Sequence, residues 1–142
     1  MFSVHLTQEF QAWLDGLRAA VRDEVASGAP FGLLGDFNVA PADADVWDIA
    51  KFADATHVTP AERAALAQLR ALGLADVMPR ALKGPHPYTF WDYRGGAFHK
   101  AEGMRIDLVY ANPAMAAAVT DAFVDRDARK GKGASDHAPV VG

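Results

Sequence analysis

Asp36 and Asn38 stand two residues apart at the end of the short apolar run Phe31-Gly32-Leu33-Leu34. In extended backbone both side chains project to one side, which sets a carboxylate beside an amide. A carboxylate can bind a hard cation or take a proton from water, and an amide can orient that water or hydrogen-bond a phosphate oxygen. The plain alternative is a strand-to-turn corner, because Gly-Asp and Asn are common turn formers. Asp107 is a charged residue inside the apolar stretch Ile106 to Tyr110, where an unpaired buried carboxylate is costly, so it needs a partner. His137 is the natural candidate: a carboxylate that accepts from one ring nitrogen fixes the tautomer and raises the proton affinity of the imidazole. Asp136 directly precedes His137 and reaches the same place only if Ser135-Asp136-His137 turns. Taken alone, an Asp-His pair also reads as solvated loop.

Arg126, Arg129, Lys130 and Lys132 form a basic stretch just before Ser135, partly offset by Asp125 and Asp127. Ordinary surface charge is one reading and a set of phosphate contacts is the other. His5, His57, His86 and His99 show no close ligand spacing and are assigned no role.

Elements that could position these groups are legible from periodicity. Phe10, Trp13, Leu14, Leu17, Val21 and Val25 follow the spacing of one helical stripe, predicting a helix from about Thr7 to Ala26 that ends at Ser27-Gly28-Ala29-Pro30. Phe31 to Leu34 reads as a buried strand ending on Gly35-Asp36-Phe37-Asn38. Thr59-Pro60-Ala61-Glu62 combines a capping Thr, a Pro at the first helical position and a Glu placed to complete a capping box. A stripe of Ala65, Leu66, Leu69 and Leu72 follows, closed by Gly73. Tyr88 to Trp91, Ile106 to Tyr110 and Val119 to Val124 have strand composition, and Asn112-Pro113 turns into a short Ala-rich helix. Strands interspersed with helices predict an α/β or α+β arrangement around one core.

Composition bounds the function. The chain has 142 residues, 51% hydrophobic and 23% charged, which suits one globular domain or part of a larger one. The absence of cysteine excludes disulfides and thiolate metal sites, so any metal must take carboxylate, amide or imidazole ligands. Lys plus Arg total 14 against 18 for Asp plus Glu, a net charge of −4, which argues against a general basic nucleic-acid coat. With no long apolar run and no basic, apolar leader at Met1-Phe2-Ser3-Val4-His5, a soluble, cytoplasmic protein without membrane association is expected.

Four motifs then occur in order: Gly35-Asp36-Phe37-Asn38-Val39-Ala40-Pro41, Tyr88-Thr89-Phe90-Trp91-Asp92-Tyr93-Arg94, Gly103-Met104-Arg105-Ile106-Asp107-Leu108 and Ser135-Asp136-His137-Ala138-Pro139. With them the chain resembles the exonuclease III and abasic-site endonuclease branch of the endonuclease/exonuclease/phosphatase superfamily, from about Thr7 to its last residue. The resemblance implies about half of a four-layered DNase I-like sandwich, with one mixed β-sheet flanked by helices. It also implies Mg²⁺-dependent cleavage of DNA phosphodiesters in base excision repair, with Mn²⁺ as the alternative ion. The implied substrate is double-stranded DNA with abasic sites or 3′ ends.

Residue by residue, the resemblance makes Asp36 the group that positions or deprotonates the attacking water and Asn38 its neighbour orienting water and phosphate. Asp107 becomes the partner of His137, and His137 the donor to the scissile phosphate. Asp36, Asn38 and Asp136 would lie at the metal. Phe90 and Met104 would surround a flipped-out abasic sugar. Arg105, Lys130 and Lys132 would contact substrate, and Trp91 would be core.

Family members also carry an N-terminal half with an Asn, a metal-binding Glu and a phosphate-contacting Tyr, and no such motifs occur in this sequence. Residues 1–142 are therefore expected to correspond to the C-terminal half, with weakened metal affinity, impaired hydrolysis and an apolar sheet face left uncovered. That face predicts self-association or a partner half. The competing expectations are an inactive chain that binds DNA or a partner chain through the basic loop, and a phosphoesterase acting on a lipid or nucleotide.

Overall fold

The computed structural model describes residues 2–142, with side chains from Gln8 onward, so His5 lies outside the described side chains. In chain order the elements are α1 (Phe2–Ala26), β1 (Gly32–Asp36), α2 (Pro60–Ala71), β2 (Ala75–Asp76), β3 (Arg80–Ala81), α3 (Ala97–Lys100), β4 (Asp107–Ala111), α4 (Pro113–Ala118), β5 (Phe123–Val124) and β6 (Val140–Val141). The class is α/β as expected, but the strands form two small sheets rather than one continuous sheet. The first has the order β1-β4-β2 and is antiparallel, while the second, β3-β5-β6, is mixed.

The chain crosses between the sheets at Val77-Met78-Pro79. The Val77 N–H still donates to Val109 in the first sheet at 2.7 Å, and the Arg80 N–H donates to Ala122 beside the second at 2.8 Å. Pro79 between them has no N–H to continue a ladder, which ends one pairing and begins the other.

Register in the first sheet decides what lies on each face. Leu33 opposes Tyr110 and Gly35 opposes Leu108, and this face packs beneath α1 and α2 on Leu14, Val21, Leu66 and Leu69. Fully burying each such aliphatic side chain contributes about 1.5–3 kcal/mol. The α1 stripe is narrower than its periodicity implies, since Trp13 is 53% exposed and stacks on Phe10 instead of entering the core. Helix α2 begins as the sequence predicts: Thr59 accepts from the Glu62 N–H, and Glu62 returns a carboxylate to the Thr59 N–H. Asn112 is buried, caps α4 through Met115 and ties β1 in place by accepting from the Phe31 N–H.

The opposite face carries Asp36 against Asp107 and Leu34 against Val109. Leu34 is 59% exposed there, and a hollow of about 470 Å³ opens over Leu34, Val109 and Val140 and reaches Asp107 and His137. Leu34 is the exposed apolar side chain of this group, while Val109 and Val140 are half-buried.

Two expected strands are shorter or absent. The segment Tyr88 to Trp91 is held by isolated bridges: Phe90 exchanges backbone bonds with Met104, while Trp91 donates to Asp136 and Ala138 donates to Thr89. Having two different partners, it pins the 104 and 136–138 segments together without forming a ladder. From Val119 to Val124 only Phe123–Val124 pairs, because Val119 is occupied as the C-cap of α4. Among the described residues no helix is long and apolar enough to cross a membrane.

Candidate functional site

The antiparallel β1/β4 pairing brings Asp36 and Asp107 directly opposite one another, side chains on the same face. His137 completes the group from the loop before β6. Its Nδ1–H donates to Asp107 Oδ2 at 2.7 Å, and its Nε2 lies 3.8 Å from Asp36 Oδ2 and 4.0 Å from Asp136 Oδ1. An ionised carboxylate only accepts, so this pairing places the other proton-bearing position of the ring toward Asp36 and Asp136. The turn that lets Asp136 and His137 share one site is held by Ser135, whose Oγ accepts from the His137 N–H at 3.1 Å.

Asp36, Asp107 and His137 place ligand atoms within 4.8 Å of one another, a grouping able to hold a metal ion. Asp36 Oδ1 accepts from the Asn38 N–H at 2.8 Å, an Asx-type turn that puts Asn38 at φ 53 and leaves its side chain exposed. The turn-forming and site-forming readings of Gly35 to Asn38 are thus the same geometry.

Phe90 extends the site sideways, its ring centroid 5.1 Å from that of His137. With Met104, Trp47 and Phe52 it lines a hollow of about 610 Å³. Trp91 is core, as expected, and buried.

Arg105 does not reach this site. It is 1% exposed, with Nε and Nη2 on Asp45 at 2.8 and 3.2 Å and Nη1 and Nη2 on Asp76 at 3.1 and 2.8 Å. Burial opposes its charge, yet the hydrogen bonds to Asp76 and Asp45 outweigh that and push its pKa further up. The expected substrate contact is corrected: two carboxylates consume the guanidinium fork, and the residue ties the 43–45 turn and β2 to the base of β4. Lys130 is exposed and pairs with Asp127 at 2.8 Å, while Lys132 is exposed. Neither lines the hollows beside His137.

Two residues matter that sequence reading left out. Thr89, fully buried, accepts the N–H groups of both Ile106 and Asp107 on its Oγ1 at 3.1 Å, fixing where Asp107 enters the strand. His57 donates from Nδ1 to the Asn38 carbonyl at 2.6 Å, accepts the Ala40 N–H on its own carbonyl and lines the Phe90–Met104 hollow. Neither has a spacing signal, because each acts on a segment distant in sequence. His86 stacks on Tyr88 and His99 lies edge-on to Phe98.

The profile of the Endonuclease/Exonuclease/phosphatase family matches residues 3–137. The chain belongs to that family. Among curated family members it is 29% identical to the DNA repair nuclease APEX1 of Danio rerio, over 94% of this chain and 39% of that one. It is 27% identical to exodeoxyribonuclease III of Haemophilus influenzae, over 78% of this chain and 44% of the relative. Of solved family structures, a 3′-5′ exonuclease from Neisseria meningitidis superimposes with a TM-score of 0.85 at 41% identity, covering 94% of this chain and 52% of that one. An AP endonuclease from Archaeoglobus fulgidus gives a TM-score of 0.82 at 31% identity with the same coverage. The chain therefore spans about half the length, or less, of these relatives, and its fold is theirs over that span.

Proposed function

We propose that this chain carries the Asp-His portion of a DNA phosphodiesterase site of the exonuclease III and abasic-site endonuclease type, acting as 3′-5′ exonuclease and abasic-site endonuclease in base excision repair. The reading is carried by one observation: His137 is held through Nδ1 by Asp107, with its Nε2 turned to Asp36 and Asp136. The names of the similar proteins, a DNA repair nuclease, an exodeoxyribonuclease III and an AP endonuclease, support the same chemistry.

In this reading Asp36 accepts the proton of the water that attacks phosphorus, and Asn38 orients that water against the phosphate. Donation from Nε2 to a non-bridging phosphate oxygen as its charge grows uses the imidazolium form of His137, which the Asp107 carboxylate favours by accepting from Nδ1–H. Attack forms one P–O bond and breaks the bond to the 3′-oxygen of the strand. The carboxylates suit a hard cation: Asp36 keeps Oδ2 outside its bond to the Asn38 N–H, and Asp136 Oδ1 lies 4.0 Å from His137 Nε2. Asp36, Asn38 and Asp136 would hold Mg²⁺, or Mn²⁺, which supplies charge neutralisation at the phosphate. Phe90 and Met104 give the adjoining hollow an apolar wall suited to a base-free sugar. Lys130 and Lys132 would meet backbone phosphates away from that hollow.

Residues 1–142 by themselves are proposed to be impaired, with the exposed Leu34 face covered in the active form by a second sheet. Single-turnover cleavage of a duplex carrying one tetrahydrofuran residue tests the reading. Slow Mg²⁺-dependent cleavage, lost in Asp36→Ala and His137→Ala, is expected. Folded protein that binds the duplex without cleaving it would favour the inactive, DNA-binding alternative.

A further inference from the structure

A cavity of about 480 Å³ lies apart from Asp36, Asp107 and His137 and shares only Trp47 with the Phe90–Met104 hollow among the aromatic residues lining the two. Its wall carries Lys83, Lys100 and Arg126 together with His86, and none of its lining residues is a carboxylate. Three cations on one cavity wall, in a chain of net charge −4, raise the local potential for an anion.

The cations are poorly neutralised. Arg126 donates to the Phe98 carbonyl at 3.0 Å and lies 4.2 Å over the Phe98 ring and 5.6 Å from the Trp91 ring, so neutral partners hold it and its charge is unspent. Lys83 has one carboxylate within 4.0 Å among the described residues, Asp127 at 3.8 Å, and that pair is solvent-exposed and therefore weak. Asp127 is in any case engaged by Lys130 at 2.8 Å. Lys100 is exposed and makes no salt bridge among the described residues. Trp91, which also lines the cavity, keeps a buried Nε1–H without a partner.

The volume exceeds what a bare phosphate requires and falls in the range of small-molecule sites. His86 supplies an aromatic surface: one face stacks on Tyr88 with centroids 5.0 Å apart and planes at 13°, and the residue is exposed, leaving its outer face open to a base.

We propose that this cavity is a nucleotide-phosphate site separate from the catalytic group, with Lys83, Lys100 and Arg126 on the phosphate and His86 against the base. The phosphate rests on the cationic wall; the choice of a nucleotide among phosphate ligands rests on the nuclease reading. The nucleotide is either part of a single strand passing the cavity or a free deoxynucleoside monophosphate.

Calorimetric titration of the full chain with dAMP, and anisotropy of a short fluorescein-labelled single strand in chelator, test this. Lys83→Ala combined with Lys100→Ala changes only exposed side chains and should weaken binding by about tenfold and flatten its salt dependence. Dependence on the lysines for both ligands, with dAMP displacing the strand, identifies the free nucleotide; dependence for the strand alone identifies the strand. Binding that ignores the two lysines, or no binding of either ligand, overturns the proposal. Because the readout is binding in chelator, a chain that fails to cleave DNA but binds at the lysines loses the nuclease reading and keeps this site.

Discussion

The Nδ1–H of His137 donates to Asp107 Oδ2 at 2.7 Å, and the same imidazole presents Nε2 to Asp36 Oδ2 at 3.8 Å. One ring thus links the strand pair to the loop before β6, and its tautomer is set by Asp107. Asp107→Asn removes the negative charge and allows an amide NH2 to face Nδ1, so the tautomer is no longer fixed. Single-turnover cleavage should fall by about a hundredfold or more, while duplex affinity stays within about threefold. A cleavage rate unchanged in Asp107→Asn would remove the imidazole from the chemistry.

Arg105 holds two carboxylates at once in the interior. Arg105→Met strands Asp45 and Asp76 without their counter-charge and should cost about 3–5 kcal/mol in urea unfolding, with an earlier midpoint. A loss below about 1 kcal/mol together with weaker DNA binding would return Arg105 to the substrate.

Asp92 is the carboxylate with the largest resolved pH signature. Side-chain bonds from Arg94, then its backbone N–H, lower the pKa from 3.8 to about 2. A depressed folded pKa means that the pair stabilises the fold above the ordinary carboxylate range, and that this contribution is lost as pH falls through about 2. The side chain is exposed, so the effect on stability is small. Carboxyl NMR should find the midpoint near 2 and move it up in Arg94→Ala.

Gly103 is required by packing. A Cβ there would stand 2.5 Å from Trp91 Nε1 and 2.8 Å from Tyr88 Cδ2. Gly103→Ala should therefore cost about 1–3 kcal/mol in chemical unfolding, since both rings are buried and cannot swing aside. An Ala variant as stable as the parent would show that the two rings can shift together.

Leu34 reports on the open sheet face. If that face is covered by a second copy, sedimentation velocity should find concentration-dependent association that Leu34→Glu abolishes. Parent protein that stays monomeric across the concentration range would rule out a second copy as the occupant.

Much of the site was legible beforehand, and for a definable reason. The Asp36/Asn38 spacing, the lone carboxylate in an apolar strand and the Thr59-Glu62 box are local patterns, readable because strand alternation and helix capping act within a few residues. The Asp107–His137 pairing was also within reach, since a buried carboxylate demands a partner and few side chains answer that demand. Arg105 was misread because it lies beside Ile106-Asp107 in the same motif. Sequence adjacency does not report that its side chain turns inward to Asp45 and Asp76. Tyr88 to Trp91 has strand composition yet forms only bridges, because backbone pairing depends on partners that composition does not name.

By itself the sequence determined helices α1, α2 and α4, the strands β1 and β4, the α/β class and the chemical types gathered at the site, since each follows from local periodicity, capping or the cost of burying charge. Only the tertiary structure decided that the strands divide into two sheets at Pro79, that Thr89 seats Asp107 and that His57 braces Asn38. It also gathered Lys83, Lys100 and Arg126 around one cavity. These relationships join residues far apart in the chain, and long-range contacts are chosen by how whole faces pack rather than by any spacing written along the sequence.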